Sequence, residues 1–125
     1  MSDQQRSITV EQALEAAQKE LTEGRYPAAE QIYRKIIEAQ PNNALAYHKL
    51  GLIAHKTGNN QVAAELLHKA ITLNPSSSET YFDRGVVLQE LREFEDAILS
   101  YQKAVHIKQD YVEAHNNMGT ALREL

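Results

Sequence analysis

The sequence predicts an all-α protein in which helix pairs of one length stack side by side into an α-solenoid, about three pairs followed by a final helix. Three observations carry this expectation. The chain resembles itself every 34 residues with no gap. Its apolar residues fall at helical spacing, as in Ile32, Tyr33, Ile36 and Ile37. Only five Gly and three Pro interrupt 125 residues, which leaves long stretches free to be helical.

The register rests on AAEQIYRKIIEAQP (28–41), AAELLHKAITLNP (63–75) and AILSYQKAVHIKQD (97–110). Ala29, Ala63 and Ala97 stand 34 apart, as do Tyr33, Leu67 and Tyr101, then Ile36, Ala70 and Ala104. The preceding halves keep step: Ala17, Gly51, Gly85 and Gly119, and beside them Ala16, Leu50, Arg84 and Met118. Small residues in the Gly51 and Ala63 columns belong where two helices cross, because a minimal side chain lets backbones approach. Each pair alone cannot cover its apolar face, so stacking on a neighbour supplies the core.

Taken in order, Thr9-x-x-Gln12 forms a capping box ahead of a first helix near 9–23. Gly24 stops it, and Pro27 suits the first turn of the next helix, 26–40, which Pro41 ends. The second copy gives helices at 43–57 and 60–73, with TGNN (57–60) as its turn. In the third, Ser76-x-x-Glu79 is expected to cap a helix at 78–91, and LREFED (91–96) turns without glycine into 94–107. Asp110-x-x-Glu113 offers a similar cap to a last helix, 111–124. The resulting division is an extension at 1–9, pairs at 10–43, 44–77 and 78–111, and a final helix at 112–125.

Composition narrows the function classes. A formal charge of −4 gives no reason to expect nucleic acid. The absence of cysteine excludes disulfides, thiolate metal sites and cysteine nucleophiles, and fits a reducing compartment. No apolar run reaches membrane-spanning length and MSDQQRSI has no signal-like core, so a cytoplasmic location is the default expectation, without membrane contact. His48 and His55 lie seven apart on one helix, roughly 10 Å of rise, too far to share an ion. No phosphate loop, nucleophile motif or HExxH is present, so no catalytic, cofactor or metal residue is assigned.

The residues Tyr47, Leu50, Gly51, Ala63, Leu67, Ala70 and Pro75, repeated as Tyr81, Gly85, Leu88, Ala97, Tyr101 and Ala104, resemble the tetratricopeptide repeat (TPR). The likeness covers 10–125; Ala13 and Ala17 replace the bulky residue and glycine of the first copy, and Gln109 replaces the proline of the third. It implies a right-handed α-solenoid that binds other proteins without catalysis. YVEAHNNMGTALREL (111–125) resembles the first helix of a fourth repeat, either a cap or the start of a longer array. Its apolar groups make self-association through 111–125 a further expectation. The overall style also resembles the N-terminal arms of bacterial glycosyltransferases related to O-linked N-acetylglucosamine transferase. Of the positions where those arms repeat asparagine, Glu15, Lys49, Asp83 and Asn117, one matches.

In such a stack the first helix of each pair lines the concave side. The candidate groove residues are Leu14 and Gln18, then Leu45, His48, Lys49, Leu52, His55 and Lys56, then Phe82, Val86 and Gln89, and last Asn116, Asn117 and Thr120. Leu45, Leu52, Phe82 and Val86 are expected to form an apolar floor, because the repeat's own core does not call for them. Residues 44–77 carry three Lys/Arg against one acid, between acidic neighbours, so His48, Lys49, His55 and Lys56 are expected to make the middle basic. An acidic or carboxylate-bearing segment is the partner this suggests. A chaperone-type carboxylate clamp is not expected, since Glu79 and Asp83 stand where it needs cations. Three functions follow: a protein-interaction module, the targeting arm of a larger enzyme such as a glycosyltransferase, or an architectural homo-oligomer.

Overall fold

The computed structural model describes residues 8–125; residues 1–7, most of the expected extension, lie outside the described residues. It consists of α1 (Val10–Thr22), α2 (Tyr26–Ala39), α3 (Ala44–Lys56), α4 (Asn60–Leu73), α5 (Ser78–Glu90), α6 (Phe94–Ile107) and α7 (Val112–Arg123), with no strand among the described residues. Each expected helix is present, with its ends within one residue of the reading from sequence. No described helix is long and apolar enough to cross a membrane.

Local chemistry explains most helix ends. The Thr9–Gln12 box closes in both directions, with bonds of 2.9 and 3.0 Å. Asn43 caps α3 by accepting from the Ala46 amide at 3.0 Å. The cap expected at Ser76 is instead Ser77, whose hydroxyl accepts from the Thr80 amide at 3.2 Å. Ser76 sits one residue too early and donates its own N–H to Asn74 Oδ1 at 3.1 Å. The cap expected from Asp110 is also displaced: α7 begins at Val112, and its cap residue, Tyr111, makes no side-chain capping bond.

The turns inside each pair repeat one motif. The amides of Arg25, Asn59 and Glu93 reach back to the carbonyls of Glu20, Ala54 and Leu88 at 2.8, 2.8 and 2.9 Å. These are Schellman closures, which require a left-handed residue just before the donor. Gly24 (φ 79°), Gly58 (φ 88°) and Arg92 (φ 63°) supply it. The third pair therefore forms the same turn with an arginine in a backbone region that favours glycine.

Packing follows the same register. A Cβ on Gly51 would lie 2.7 Å from Leu67 Cγ, and one on Gly85 2.6 Å from Tyr101 Cε1. Ala29, Ala63 and Ala97 are fully buried in the facing helices. One core cluster gathers Ala17, Ala29, Tyr33, Ile36, Ala46, Leu50 and Ile53. A second is centred on Leu67, Val87, Leu88, Tyr101 and Ala104, and Leu66 packs against both. The core thus runs continuously from pair to pair, as a stack demands. Consecutive first helices, α3 with α5 and α5 with α7, approach each other, whereas consecutive second helices make no comparable contact. The stack therefore bends with its first helices inside.

Candidate functional site

The concave wall is built by α1, α3, α5 and α7. Leu45 is 46% exposed there, and Leu52, half-buried, belongs to neither core cluster. Phe82 and Val86 are half-buried too, but both pack against the second cluster. The Phe82 ring lies 5.0 Å from Tyr111, stacked, and 5.9 Å from Tyr101. The expectation that all four floor residues are free of the core is corrected: Phe82 and Val86 help join α5 to its neighbours and offer one side to the groove.

The basic middle is corrected as well. His48 is 5% exposed, and its Nε2 donates to Asp83 Oδ2 at 2.7 Å; Nδ1 lies 3.3 Å from Thr80 Oγ1. His55 Nε2 meets both Glu90 oxygens at 3.0 and 3.1 Å, and Asn60 donates to the same carboxylate at 3.2 Å. Both histidines are thus occupied by acids one repeat along, an alternation of neighbours that charge counting along the chain conceals. Lys49, half-buried, and Lys56, exposed, remain as the cations of α3. The two His–carboxylate ties join α3 to α5.

The ends of the groove are more polar. Leu14 packs on the first core cluster, and exposed Gln18 donates to Thr22 Oγ1 at 3.1 Å. Asn116 and Thr120 are exposed on α7, with the Thr120 hydroxyl donating to the Asn116 carbonyl at 3.3 Å. Asn117 is half-buried. Gln89 accepts from the Tyr101 hydroxyl at 2.7 Å. Tyr101 is the buried support of Gln89 that the sequence reading missed. It lies on a second helix and is fully buried; its ring passes under Gly85 and its hydroxyl donates to Gln89 from below. Burial pushes its pKa up to about 12, against a small opposing pull from Asn117. The available signal was their spacing: Gly85 and Tyr101, 16 residues apart, stand in the small and the large columns of the repeat. Among the described residues no three His, Cys, Asp or Glu are arranged to hold a metal ion.

Repeat geometry of this kind has known counterparts. A tetratricopeptide repeat family model matches residues 14–78, more than half of the chain, and a TPR repeat model matches 90–125. The chain belongs to the tetratricopeptide repeat family. Among solved structures, the TPR chain resembles crystalline MamA protein with a TM-score of 0.86 and 27% identity, over 93% of this chain and 63% of that one. A mutant O-GlcNAc transferase of Thermobaculum terrenum matches at 0.84 and 30%, over 90% of this chain and 22% of that one. The first TPR of Spaghetti, bound to the HSP90 peptide SRMEEVD, matches at 0.88 and 23% over 91% and 90%, a likeness of fold. The chain thus spans less than two thirds of MamA and under a quarter of the transferase. No curated protein sequence matches it closely enough to count as a relative.

Proposed function

We propose that this TPR chain is a non-catalytic interaction module that holds an extended segment of another polypeptide along its concave wall. One observation carries the reading: Leu45 and Leu52 stay accessible on that wall although no core cluster uses them. Apolar side chains at such positions favour an apolar partner residue, while Lys49, Gln89 and Asn117 flank them with groups able to bond a peptide backbone. With His48 and His55 occupied, any preference for an acidic segment rests on Lys49 and Lys56. The TPR fold of Spaghetti, seen with a peptide bound, is a precedent for the fold and not for the ligand. The test is selection from a displayed peptide library on the intact chain, followed by affinity measurement on Leu45→Glu/Leu52→Glu. These residues lie outside the core, so helicity and melting should hold while binding of selected peptides falls at least about tenfold, or ~1.4 kcal/mol. Undiminished binding would remove the concave wall as the site.

A second reading is favoured by the 30% identity to the Thermobaculum terrenum transferase: the chain as part of the targeting arm of a larger enzyme. Only Asn117 occupies the column Glu15, Lys49, Asp83, Asn117 with asparagine, so peptide capture here would not use an asparagine ladder. Reading the gene past codon 125 decides it, since a stop codon there ends this interpretation. Exposed Val112, Leu122 and Leu125 keep self-association through the last helix in view. Light scattering across a dilution series tests it, and a monomer throughout retires it.

A further inference from the structure

The repeat supplies its own control for an oddity on the outer side of the stack, where successive second helices stand apart. Between α2 and α4 the crevice is lined by Leu50 and Leu66, and a cavity of about 70 Å³ remains. Thirty-four residues on, Arg84 stands for Leu50 and Ser100 for Leu66. The cavity beside Arg84, walled by α4, α5 and the turn that follows α5, is about 290 Å³. Leu50 is 2% exposed, so the register asks for an apolar side chain at this place; a guanidinium occupies it instead.

That guanidinium is poorly satisfied. Arg84 Nε is buried with no hydrogen-bond partner, and Nη1 has one long contact, 3.4 Å to Ser100 Oγ. Among the described residues it belongs to no ion pair. A cation partly withdrawn from water without a counter-charge carries a cost, and leucine would serve the fold as it does at Leu50. Gln61 and His68 line the same cavity and add N–H donors.

We infer that the crevice between α4 and α5 is a binding site for a single carboxylate, whose oxygens pair with Arg84 and are steadied by Gln61 and His68. The exposed acids Glu65 and Glu93 on its walls disfavour a dianion such as phosphate, while one negative charge beside a half-buried guanidinium gains more than those solvated acids take away. The carboxylate comes either from an acidic side chain of a partner polypeptide or from a small free acid. The site is separate from the concave wall and stands or falls independently of it.

The experiment follows the Arg84 Nε–Hε signal and the backbone amides of the intact chain by NMR. Acetate, an end-capped pentapeptide with one central glutamate, and inorganic phosphate are titrated separately. Saturable shifts at Gln61, His68 and Arg84 with the two carboxylates, and weaker ones with phosphate, are expected. The peptide binding about tenfold tighter than acetate points to a polypeptide source, and equal affinity to a free acid. Arg84→Leu/Ser100→Leu, which restores the Leu50/Leu66 pair of the preceding crevice, should fold and lose the shifts. Glu65→Gln/Glu93→Gln should tighten binding severalfold. No saturable shift into the tens of millimolar, shifts that persist in the double leucine variant, or phosphate binding better than acetate overturns the assignment. If Glu65→Gln/Glu93→Gln instead lowers the melting temperature and the wild type binds no carboxylate, Arg84 is paired internally and the inference fails.

Discussion

Gly85 and Tyr101 form one contact in two parts: the missing side chain at 85 makes room for a ring that crosses the pair and delivers its hydroxyl to Gln89, 2.7 Å away. A Cβ at 85 would stand 2.6 Å from Cε1, so Gly85→Ala must push the ring or the helices apart. Overpacking of this kind costs ~1–3 kcal/mol. Gly119 occupies the same column but would meet nothing nearer than Arg123 Nη1 at 3.9 Å. In this chain Gly119→Ala should therefore stabilise α7, by up to ~1 kcal/mol from helix propensity. Urea denaturation of the two variants checks the opposed signs.

Arg92 holds a φ of 63° where Gly24 and Gly58 stand in the other pairs. A β-branched residue tolerates that conformation least, so Arg92→Val should lose ~1 kcal/mol or more. Arg92→Gly should be neutral to slightly stabilising, because relief of strain is offset by a more flexible unfolded chain and by the lost stacking of Arg92 on Phe94, 5.1 Å away. Thermal melting should rank the three as Gly at or above Arg, with Val lowest.

The two histidine ties differ in burial, and the difference predicts unequal effects. In the His48–Asp83 pair the side chains are 6% and 20% exposed; in His55–Glu90 they are 24% and 48% exposed. Asp83→Ala strands a buried imidazole and should cost ~1–3 kcal/mol. Glu90→Ala should stay within ~0.5 kcal/mol, as exposed pairs do. Denaturation midpoints of both variants provide the comparison.

Much of this architecture was legible from spacing alone. The column containing Gly51 and Gly85 located the helix crossings, and the column containing Ala63 and Ala97 located the faces they meet. What escaped the sequence depends on neighbours that a one-dimensional register does not pair. His48 and Asp83 are 35 apart, one step off the repeat, so their partnership appears only once α3 and α5 are set side by side. Ser77 in place of Ser76 is a one-residue choice that either serine satisfies by composition. Phe82 was read as free floor because the stacking of Tyr111 on it depends on where the chain enters α7.

Burial pushes the Tyr33 and Tyr101 pKa values up to about 12 from an ordinary 10. Folding therefore favours the neutral phenol. The resulting stability is complete below pH ~10 and is lost as pH rises from there through ~12, amounting to ~2–3 kcal/mol per ring once both states are ionised. Urea midpoints should fall across this window. Tyr33→Phe keeps the ring and removes the ionisable group, so its midpoint should decline less steeply.

The most direct test of the central claim is to map where a library-selected peptide lies, by following backbone and methyl NMR signals of the intact chain during titration. The concave account predicts the largest shifts at Leu45, Lys49, Leu52, Val86, Gln89 and Asn117, on three successive first helices. Shifts concentrated on the outward faces of α2, α4 and α6, with Leu45 and Leu52 unmoved, would contradict it.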